Sequence, residues 1–539
     1  MAVRDVSAAM GRVGLPAPVS QLAAREWDAV VVGGGHNGLT AAAYLAKAGR
    51  SVLVLERRER LGGACTLEQP FEDPGYAVSP CAYVVGLLDE RVVSELRLRD
   101  RGYRVFPTDP GSWHPFEDGT SFASFRDEDR TREYLRAQGF PESEIQGAFA
   151  YADVFERARL ALRRGERDAW LGSSPSRAEL EEMLGDEELV GVVFRDSMTD
   201  VLDRYVSDER LRGALCGQGV IGAWAGPRDP GTAWVHLMHG MGELEGRGGS
   251  WGYVEGGMGR ISFAIAQTAQ DAGAALASGA PVARILPGEG VELQSGETIR
   301  ARAVLCNADP KRLAAMVDPD ALPEDYRARL DAWKVRSPVI KLNAGLTRMP
   351  TFTAAASPAA DGVDPTRGMV SFSPGVDGMQ ASFEACERGE PAIGFAELYF
   401  QTAYDPTVAP AGKHTMSAFC QYAPYDLADG DWNTRRDQIA HTVLDAIAVH
   451  APDVHQCVEA YELLGPPDIE SRIGLTGGCI FQGEVQPDQM WEHRLDHRTP
   501  VEGLYLCGAA THPAASVIAL NGRNAAMAVL EDAGLPAPA

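Results

Sequence analysis

The chain lacks any continuous run of about 18 apolar residues, the length that a helix needs to cross a bilayer. Its least polar stretch, YAVSPCAYVVGLL from Tyr76 to Leu88, is interrupted by Pro80. Residues 1–26 contain Asp5 and Glu26 and have no apolar centre of the kind that marks a secretory signal. We therefore expect no membrane span, a surface extension over residues 1–26 and a cytoplasmic protein, with peripheral membrane contact left open.

Basic residues are scarce relative to acidic ones, with 50 Lys and Arg against 75 Asp and Glu and a formal net charge of −25. This balance argues against nucleic acid as a partner, because phosphate backbones are bound by clustered Lys and Arg. The nine cysteines include no C-x-x-C pair, which indicates free thiols and argues against dithiol catalysis. The histidine pairs His236 with His239 and His493 with His497 have no third ligand nearby, so we expect no metal site.

Three glycines stand at one strand-to-helix junction. Gly33, Gly35 and Gly38 have the spacing G-x-G-x-x-G between the apolar run Trp27 to Val32 and the helix-forming segment Asn37 to Ala48. In this position the glycines permit a tight turn, let backbone approach a pyrophosphate, and let helix and strand pack closely. The helix N-terminus then offers N–H groups to phosphate. The pattern predicts a Rossmann-like site for an adenine dinucleotide.

A second apolar run, Ser51 to Leu55, ends at Glu56. A carboxylate at this point accepts hydrogen bonds from a ribose diol and repels a 2′-phosphate, which makes NADP the least favoured occupant. FAD and NAD both stay open on these residues alone. His36 and Asn37 are interpreted as turn residues of the same site.

The block DAVVVGGGHNGLTAAAYLAKAGRSVLVLERRERLGGA, residues 28–64, resembles the N-terminus of the phytoene desaturase family of FAD-dependent oxidoreductases, which includes carotenoid desaturases and isomerases. It is most similar to the branch of the pyridine nucleotide-disulphide oxidoreductase domain-containing proteins 2, in which H-N-G-L follows the glycines. Blocks at residues 251–276, 281–310 and 503–526 extend the resemblance over most of the chain. It implies FAD as the cofactor. It implies FAD contacts at Gly33, Gly35, His36, Asn37, Gly38, Glu56, Arg57, Gly62, Gly63, Ala64, Val282, Gly508 and Ala509.

The expected fold class is α/β, with a Rossmann-like, glutathione reductase-like FAD-binding domain and a discontinuous α+β substrate domain. Residues 27–99, 251–310 and 499–535 are expected to form the FAD-binding domain. Residues 100–250, which are rich in charged helical patterns, and residues 311–498, which contain strand-like pieces such as AIGFAELYF, are expected to form the substrate domain.

Two titratable residues are candidates for proton transfer. His512 lies inside the closing motif and has a reference pKa near neutrality, although it also fits a hydrogen-bonded structural role. Glu484 lies in RIGLTGGCIFQGE, a segment that resembles one on the substrate side of the flavin, although most Glu residues face water. Where related sequences carry a glycine-rich run, this chain has side chains from Ala514 to Asn521, so Val517 and Ile518 are expected to narrow the pocket beside the flavin.

The leading hypothesis is an FAD-dependent dehydrogenase or desaturase that oxidises a C–C bond of an apolar small molecule by hydride transfer to flavin N5. Amine or alcohol oxidation, or a redox-neutral isomerisation, is the alternative, and a flavin-binding interaction protein is the third. The sequence leaves open the substrate, the oligomeric state and the electron acceptor, for which oxygen and a quinone are both considered.

Overall fold

The structure is a computed structural model that describes residues 11–164, 167–514 and 516–538. Of the expected surface extension, residues 11–26 are described and residues 1–10 lie outside the described part, as does Ala515. The helices are α1 (Val19–Ala23), α2 (His36–Lys47), α3 (Glu90–Glu95), α4 (Glu128–Ala137), α5 (Glu142–Arg164), α6 (Arg177–Leu184), α7 (Glu187–Phe194), α8 (Met198–Tyr205), α9 (Glu209–Cys216), α10 (Thr232–Gly240), α11 (Gly259–Asp271), α12 (Pro310–Met316), α13 (Glu324–Ala332), α14 (Gly375–Glu387), α15 (Trp432–Ala448), α16 (Val454–Cys457), α17 (Pro466–Ile473) and α18 (Leu520–Asp532).

The strands are β1 (Trp27–Val32), β2 (Val52–Glu56), β3 (Val105–Pro107), β4 (Ser112–Pro115), β5 (Ser121–Ser124), β6 (Glu243–Leu244), β7 (Arg247–Gly248), β8 (Gly252–Val254), β9 (Ala275–Ser278), β10 (Val282–Leu286), β11 (Gly290–Leu293), β12 (Thr298–Cys306), β13 (Val339–Leu346), β14 (Met369–Phe372), β15 (Phe395–Tyr399), β16 (His414–Gln421), β17 (Val458–Leu464) and β18 (Leu504–Leu506). Short 3₁₀ helices cover Leu98–Arg101, Gly217–Gly219, Pro319–Ala321, Thr353–Ala356, Pro358–Ala360, Pro365–Arg367, Gln401–Ala403, Pro406–Val408, Pro487–Gln489 and Trp491–His493.

The first sheet joins strands from both ends of the chain. Strands β9, β2, β1, β12 and β18 run parallel in that order, and the antiparallel hairpin β10–β11 extends the sheet from the first half of β12. Strands β1 and β2 are almost entirely buried, as expected for apolar runs that are covered on both faces of a parallel sheet. The C-terminal strand β18 is therefore held two positions from β1, beside the glycine turn.

Helices α11 and α18 both pack against α2, the helix that follows the glycine turn. The sequence predicts the last helix from Arg523, after Gly522, but α18 begins at Leu520 and includes Gly522. A Cβ atom on Gly522 would lie 2.0 Å from the carbonyl oxygen of Asn37. Gly522 thus acts inside the helix, because its missing side chain lets α18 approach α2.

The second sheet has the order β17, β13, β16, β15, β14, β4 and β5. Alternate residues of its strands face opposite sides. On one side, Ile340, Leu342, Ala418 and Leu398 join a core with helix α15. The other side faces the first sheet across a cavity, and Lys341, Phe419 and Glu397 line that cavity.

Helices α4 to α10 lie in the segment 100–250 where the sequence predicts charged helices, and β13 to β17 lie within 311–498. Strands β4 and β5 of the earlier segment join the second sheet, so the two segments share one structural layer. The exact domain boundaries stay a prediction. In the ranges that the structure describes, no helix is both long and apolar enough to cross a membrane.

Candidate flavin and substrate site

The turn between β1 and α2 brings backbone donors to one end of the cavity. Gly33 has φ +102°, a conformation that favours glycine, and its N–H donates to Leu55 O at 2.8 Å. The Gly34 N–H donates to Glu56 Oε2 at 2.8 Å, and Gly35 is the residue that caps α2. Because the first N–H groups of a helix have no partner within it, the start of α2 can bind phosphate oxygens.

The other glycines of the turn serve packing. A Cβ atom on Gly38 would lie 2.2 Å from Gly33 O, so this position allows helix and turn to touch. Gly62 has φ +108° and its N–H donates to Gly34 O at 2.8 Å. A Cβ atom on Gly63 would lie 3.2 Å from the Cα of Gly35. The loop after β2 is therefore held directly against the glycine turn.

Glu56 ends β2 with a buried carboxylate. Its oxygens accept the N–H of Gly34 and the N–H of Arg58, each at 2.8 Å, while burial raises the pKa of the carboxyl group. Each carboxylate oxygen has a second lone pair, so Glu56 can still accept a ribose hydroxyl.

A cavity of about 670 Å³ begins on this turn and extends to the second sheet. The predicted residues among its walls are Gly33, Gly35, His36, Asn37, Glu56, Arg57, Gly63, Ala64, Val282, Ala509 and Val517. His36 Nε2 and Asn37 Oδ1 are buried and have no hydrogen-bond partner among the described residues. Free polar atoms beside a glycine cradle fit a dinucleotide such as FAD.

Four other predicted contacts do not line the cavity: Gly38, Gly62, Gly508 and Ile518. A Cβ atom on Gly508 would lie 2.3 Å from Gln482 Oε1, so Gly508 permits the packing of a neighbouring loop. Ile518 is fully buried, and its carbonyl oxygen accepts the N–H of Asp89 at 3.2 Å. Of the two residues expected to narrow the pocket, the structure therefore brings only Val517 to it.

The structure does not bring His512 to the cavity, which removes the geometric support for a proton-transfer role. The side chain is 1% exposed, and Nε2 bonds to the carbonyl oxygen of Ala169 at 2.8 Å. Its ring lies 6.1 Å from that of Trp491. Burial lowers the pKa of His512 to about 3, so the imidazole is neutral at physiological pH.

Glu484 also lies away from the cavity. Its carboxylate is buried and paired with Arg336, with Oε1 at 2.6 Å from Nε. Its carbonyl oxygen accepts from Arg494 Nη1 at 2.8 Å. These bonds hold the loop after α17, which is a structural role, and a base at Glu484 finds no support in this geometry.

Two titratable residues that line the substrate end, Lys341 and Glu397, come from the second sheet and were missed in the sequence. Lys341 on β13 pairs with Phe419 on β16, which pairs with Glu397 on β15. The three side chains therefore form one transverse row on the cavity face. A signal existed, since Lys341 and Glu397 are each the one charged residue of a mostly apolar strand, VIKLNAGL and FAELY. Tyr83 and Tyr399 complete the wall.

The two charged residues of this row are both shifted towards neutrality by burial. Lys341 is 3% exposed, and burial lowers its pKa to about 7. Its Nζ donates to Ser417 Oγ and lies 4.1 Å from the ring centroid of Tyr83. Glu397 is 1% exposed, and burial raises its pKa to about 7. Both groups can therefore gain or lose a proton near neutral pH.

Comparisons with known proteins identify the family and the fold of this chain. The sequence profile of the family described as "flavin containing amine oxidoreductase" matches residues 38–530. Pyridine nucleotide-disulfide oxidoreductase domain-containing protein 2 of Mus musculus is 34% identical, over 94% of this chain and 94% of that protein. The lycopene-forming phytoene desaturase of Pantoea ananas is 23% identical, over 93% of this chain and 99% of that protein.

Among solved structures, cyclohexylamine oxidase from Brevibacterium oxydans aligns with a TM-score of 0.58 at 18% identity, covering 95% of this chain and 100% of that chain. At this identity the likeness concerns the fold alone. Together the family match and the fold confirm the predicted α/β fold class and the predicted cofactor, FAD.

Proposed function

This chain belongs to the flavin-containing amine oxidoreductase family and is an FAD-dependent oxidoreductase, and we propose that it dehydrogenates a small molecule with a mainly apolar body. The observation that carries the proposal is one continuous cavity that extends from the glycine turn to the aromatic wall of the second sheet. Tyr83, Phe419 and Phe481 line its substrate end, which favours a hydrocarbon body. Oxidation of a C–C bond stays our first candidate, and its support includes the distant similarity to a phytoene desaturase.

Dehydrogenation removes a hydride from one atom and a proton from its neighbour. Bound FAD supplies the two-electron oxidation, which is chemistry of the cofactor. The protein must orient the substrate and accept the proton. We assign proton uptake to Lys341, because a lysine with a pKa lowered to about 7 is partly neutral at physiological pH and its amine can accept a proton.

Oxidation of a C–N bond is the second candidate. Glu397 favours it, since a buried carboxyl group on the cavity wall is suited to a substrate with a basic nitrogen. The redox-neutral isomerase and the flavin-binding interaction protein have no specific feature of the described residues in their favour.

Anaerobic reduction of the flavin by candidate substrates tests the proposal. An oxidoreductase bleaches the flavin absorbance with one equivalent of substrate, whereas an interaction protein does not. Mass spectrometry of the product then separates the reactions. A desaturated product has lost two hydrogen atoms and kept its nitrogen, an oxidised amine yields a carbonyl compound and an amine or ammonia after hydrolysis, and an isomer has an unchanged mass. Failure of chemically diverse apolar compounds, including amines and alcohols, to reduce the flavin would contradict the proposal.

A further inference from the structure

Helix α10 places a neutral hydrogen-bond acceptor on the cavity wall. His239 lies in the last turn of this helix, is 5% exposed and lines the cavity. Its Nδ1 lies 2.8 Å from the carbonyl oxygen of Val235, one turn earlier in the same helix. Because a carbonyl oxygen can only accept a hydrogen bond, Nδ1 carries the proton of the neutral ring. The other ring nitrogen, Nε2, therefore carries a lone pair.

The lone pair of His239 has no donor within the protein. Burial lowers the pKa of His239 to about 4, so the imidazole is neutral at physiological pH. The bond from Nδ1 is the only one that its side chain forms with the described residues. Unlike Nδ1 of His512, which is enclosed without a partner, Nε2 of His239 retains accessible surface. Since the residue lines the cavity, this acceptor is available to a ligand.

The wall around His239 combines hydrocarbon with a second neutral polar group. The ring lies 5.9 Å from that of Phe481, which belongs to the substrate end of the cavity. The 3₁₀ helix Gly217–Gly219 packs against α10 and brings Gln218 to the same cavity. The amide of Gln218 has one contact with a described residue, from Nε2 to the weak acceptor Sδ of Met369 at 3.9 Å.

The chemistry of this wall selects a neutral donor over a charged one. No described carboxylate lies within ion-pair distance of His239, so an ammonium group bound there would lose its hydration without gaining a counter-charge. A hydroxyl group has no such cost. It donates one hydrogen bond and can accept others, so it complements both a lone pair and an amide N–H.

We propose that His239 accepts a hydrogen bond from a hydroxyl group of the substrate, so that the substrate class is a hydroxylated hydrocarbon. The hydroxyl group is the part of the substrate by which the enzyme holds it, and it need not belong to the bond that is oxidised. The inference rests on the proposed function in one respect, that the substrate enters this cavity beside the flavin.

The test uses two pairs of isomers, 1-octanol with 1-methoxyheptane and cyclohexylmethanol with methoxycyclohexane. Each alcohol can donate a hydrogen bond, whereas its isomeric ether can only accept one. Binding to the FAD-loaded enzyme is measured in the absence of oxygen by the shift of the oxidised flavin spectrum. In the wild type, each alcohol should bind at least about 10-fold more tightly than its ether, because the ether leaves the lone pair of His239 without a donor.

His239→Phe keeps an aromatic ring beside Phe481 and removes the acceptor. In this variant the affinity for each alcohol should fall to within about threefold of that for its ether, while the affinity for the ether changes by less than about threefold. His236→Phe is the matched control, because His236 lies on the same helix but packs against Phe155, with ring centroids 4.2 Å apart, and does not line the cavity. It should keep the preference for alcohols.

Equal affinity for each alcohol and its ether in the wild type would overturn the inference, and so would failure of both alcohols to bind. A His239→Phe enzyme that retains FAD and still prefers the alcohols would overturn it as well. Loss of FAD from a folded His239→Phe protein would show that the ring contacts the cofactor instead of the substrate. The wild-type comparison needs no variant, so the inference stays testable even if His239→Phe does not fold.

The outcomes for the inference and for the proposed function can be distinguished. A preference for alcohols without reduction of the flavin by any candidate substrate would contradict the proposed function alone. Reduction of the flavin by a substrate, without a preference for alcohols over ethers, would contradict the role of His239 alone.

Discussion

The two ends of the cavity differ in how the chain assembles them. The nucleotide end is made mainly by one continuous segment, from Gly33 to Ala64, whose turn, helix and acid follow one another directly. The substrate end takes Lys341, Glu397 and Phe419 from three strands, with long stretches of chain between them. The first end depends on backbone conformations that glycine permits, and the second depends on two ionisable side chains whose pKa values burial brings to about 7. Substitutions at the two ends should therefore fail in different ways.

The largest effect is expected at Gly38, where backbone meets backbone. Gly38→Ala places a methyl group 2.2 Å from Gly33 O, and neither partner can move without breaking the turn. We expect loss of bound FAD and a destabilisation of about 3 kcal/mol. The ratio of flavin to protein absorbance and the thermal unfolding midpoint measure the two effects. Gly240→Ala is the matched control, since a Cβ atom there contacts nothing within 4 Å.

Gly35→Val should separate binding from folding. Its Cβ atom would meet only the side-chain Nδ2 of Asn307 closely, at 2.9 Å, while the rest of the side chain enters the cavity. We expect FAD affinity to fall about 100-fold or more, which corresponds to about 3 kcal/mol. The unfolding midpoint of the apoprotein should stay within about 2 °C of the wild type, as for a substitution worth less than about 0.5 kcal/mol. Titration of apoprotein with FAD checks this, and full flavin occupancy would show that the turn does not hold the pyrophosphate.

Lys341→Met addresses the opposite end of the cavity. If the neutral amine accepts the substrate proton, the rate of flavin reduction in the wild type should rise with pH through about 7, the lowered pKa of Lys341. The variant should lose about 100-fold in rate and show no such rise, a typical cost of removing a general base. Stopped-flow reduction across the neutral range measures both.

His512→Gln serves as the comparison for Lys341→Met. With a pKa lowered to about 3 and no position on the cavity wall, His512 should leave the pH profile of the reduction unchanged. If the pH dependence of the reduction rate is lost in His512→Gln but kept in Lys341→Met, the proton acceptor is His512 and not Lys341. That outcome would restore the proton-transfer role that the sequence suggested for His512.

Glu397→Gln should change stability in a pH-dependent manner. Burial raises the folded pKa of Glu397 to about 7 from an ordinary value of 4.5, so the folded state favours the protonated acid. The stability that this group contributes is mostly present at pH 5 and is lost as the pH rises through about 7. From pH 5 to pH 8, the free energy of unfolding of the FAD-free variant should therefore increase relative to that of the FAD-free wild type, by up to about 3 kcal/mol. Urea unfolding at both pH values measures the difference in free energy of unfolding between the variant and the wild type. A difference that is the same at pH 5 and at pH 8 would contradict the raised pKa of Glu397.

The sequence identifies the segment that forms the glycine turn at one end of the cavity, because local chemistry determines that turn. The glycine spacing, the strand before it and Glu56 require no knowledge of distant residues. The sequence identifies the closing segment around Gly508 and Ile518 as part of the site. It does not show which residues of that segment face the cavity, and neither of these two does. His512 shows the limit most clearly, since a histidine inside a cofactor motif is directed by packing against Trp491 and the Ala169 carbonyl. The row of Lys341 and Glu397 depends on which strands become neighbours, and a single strand does not specify its partner.

Strand β12 and helix α18 have a consequence for biosynthesis. The central strand β1 pairs with residues 301–306, and the helix after the glycine turn packs against residues 520–532. Such pairings join residues that are far apart in the sequence, so they have high contact order. We expect them to form late, because the chain must lose the entropy of closing a long loop before the stabilising contacts can form. During translation the glycine turn can emerge early, yet its sheet and covering helix are complete only when almost the whole described chain has left the ribosome. Capture of FAD is therefore expected to follow synthesis of the closing segment, and ribosome-bound chains that end before residue 504 should not retain flavin.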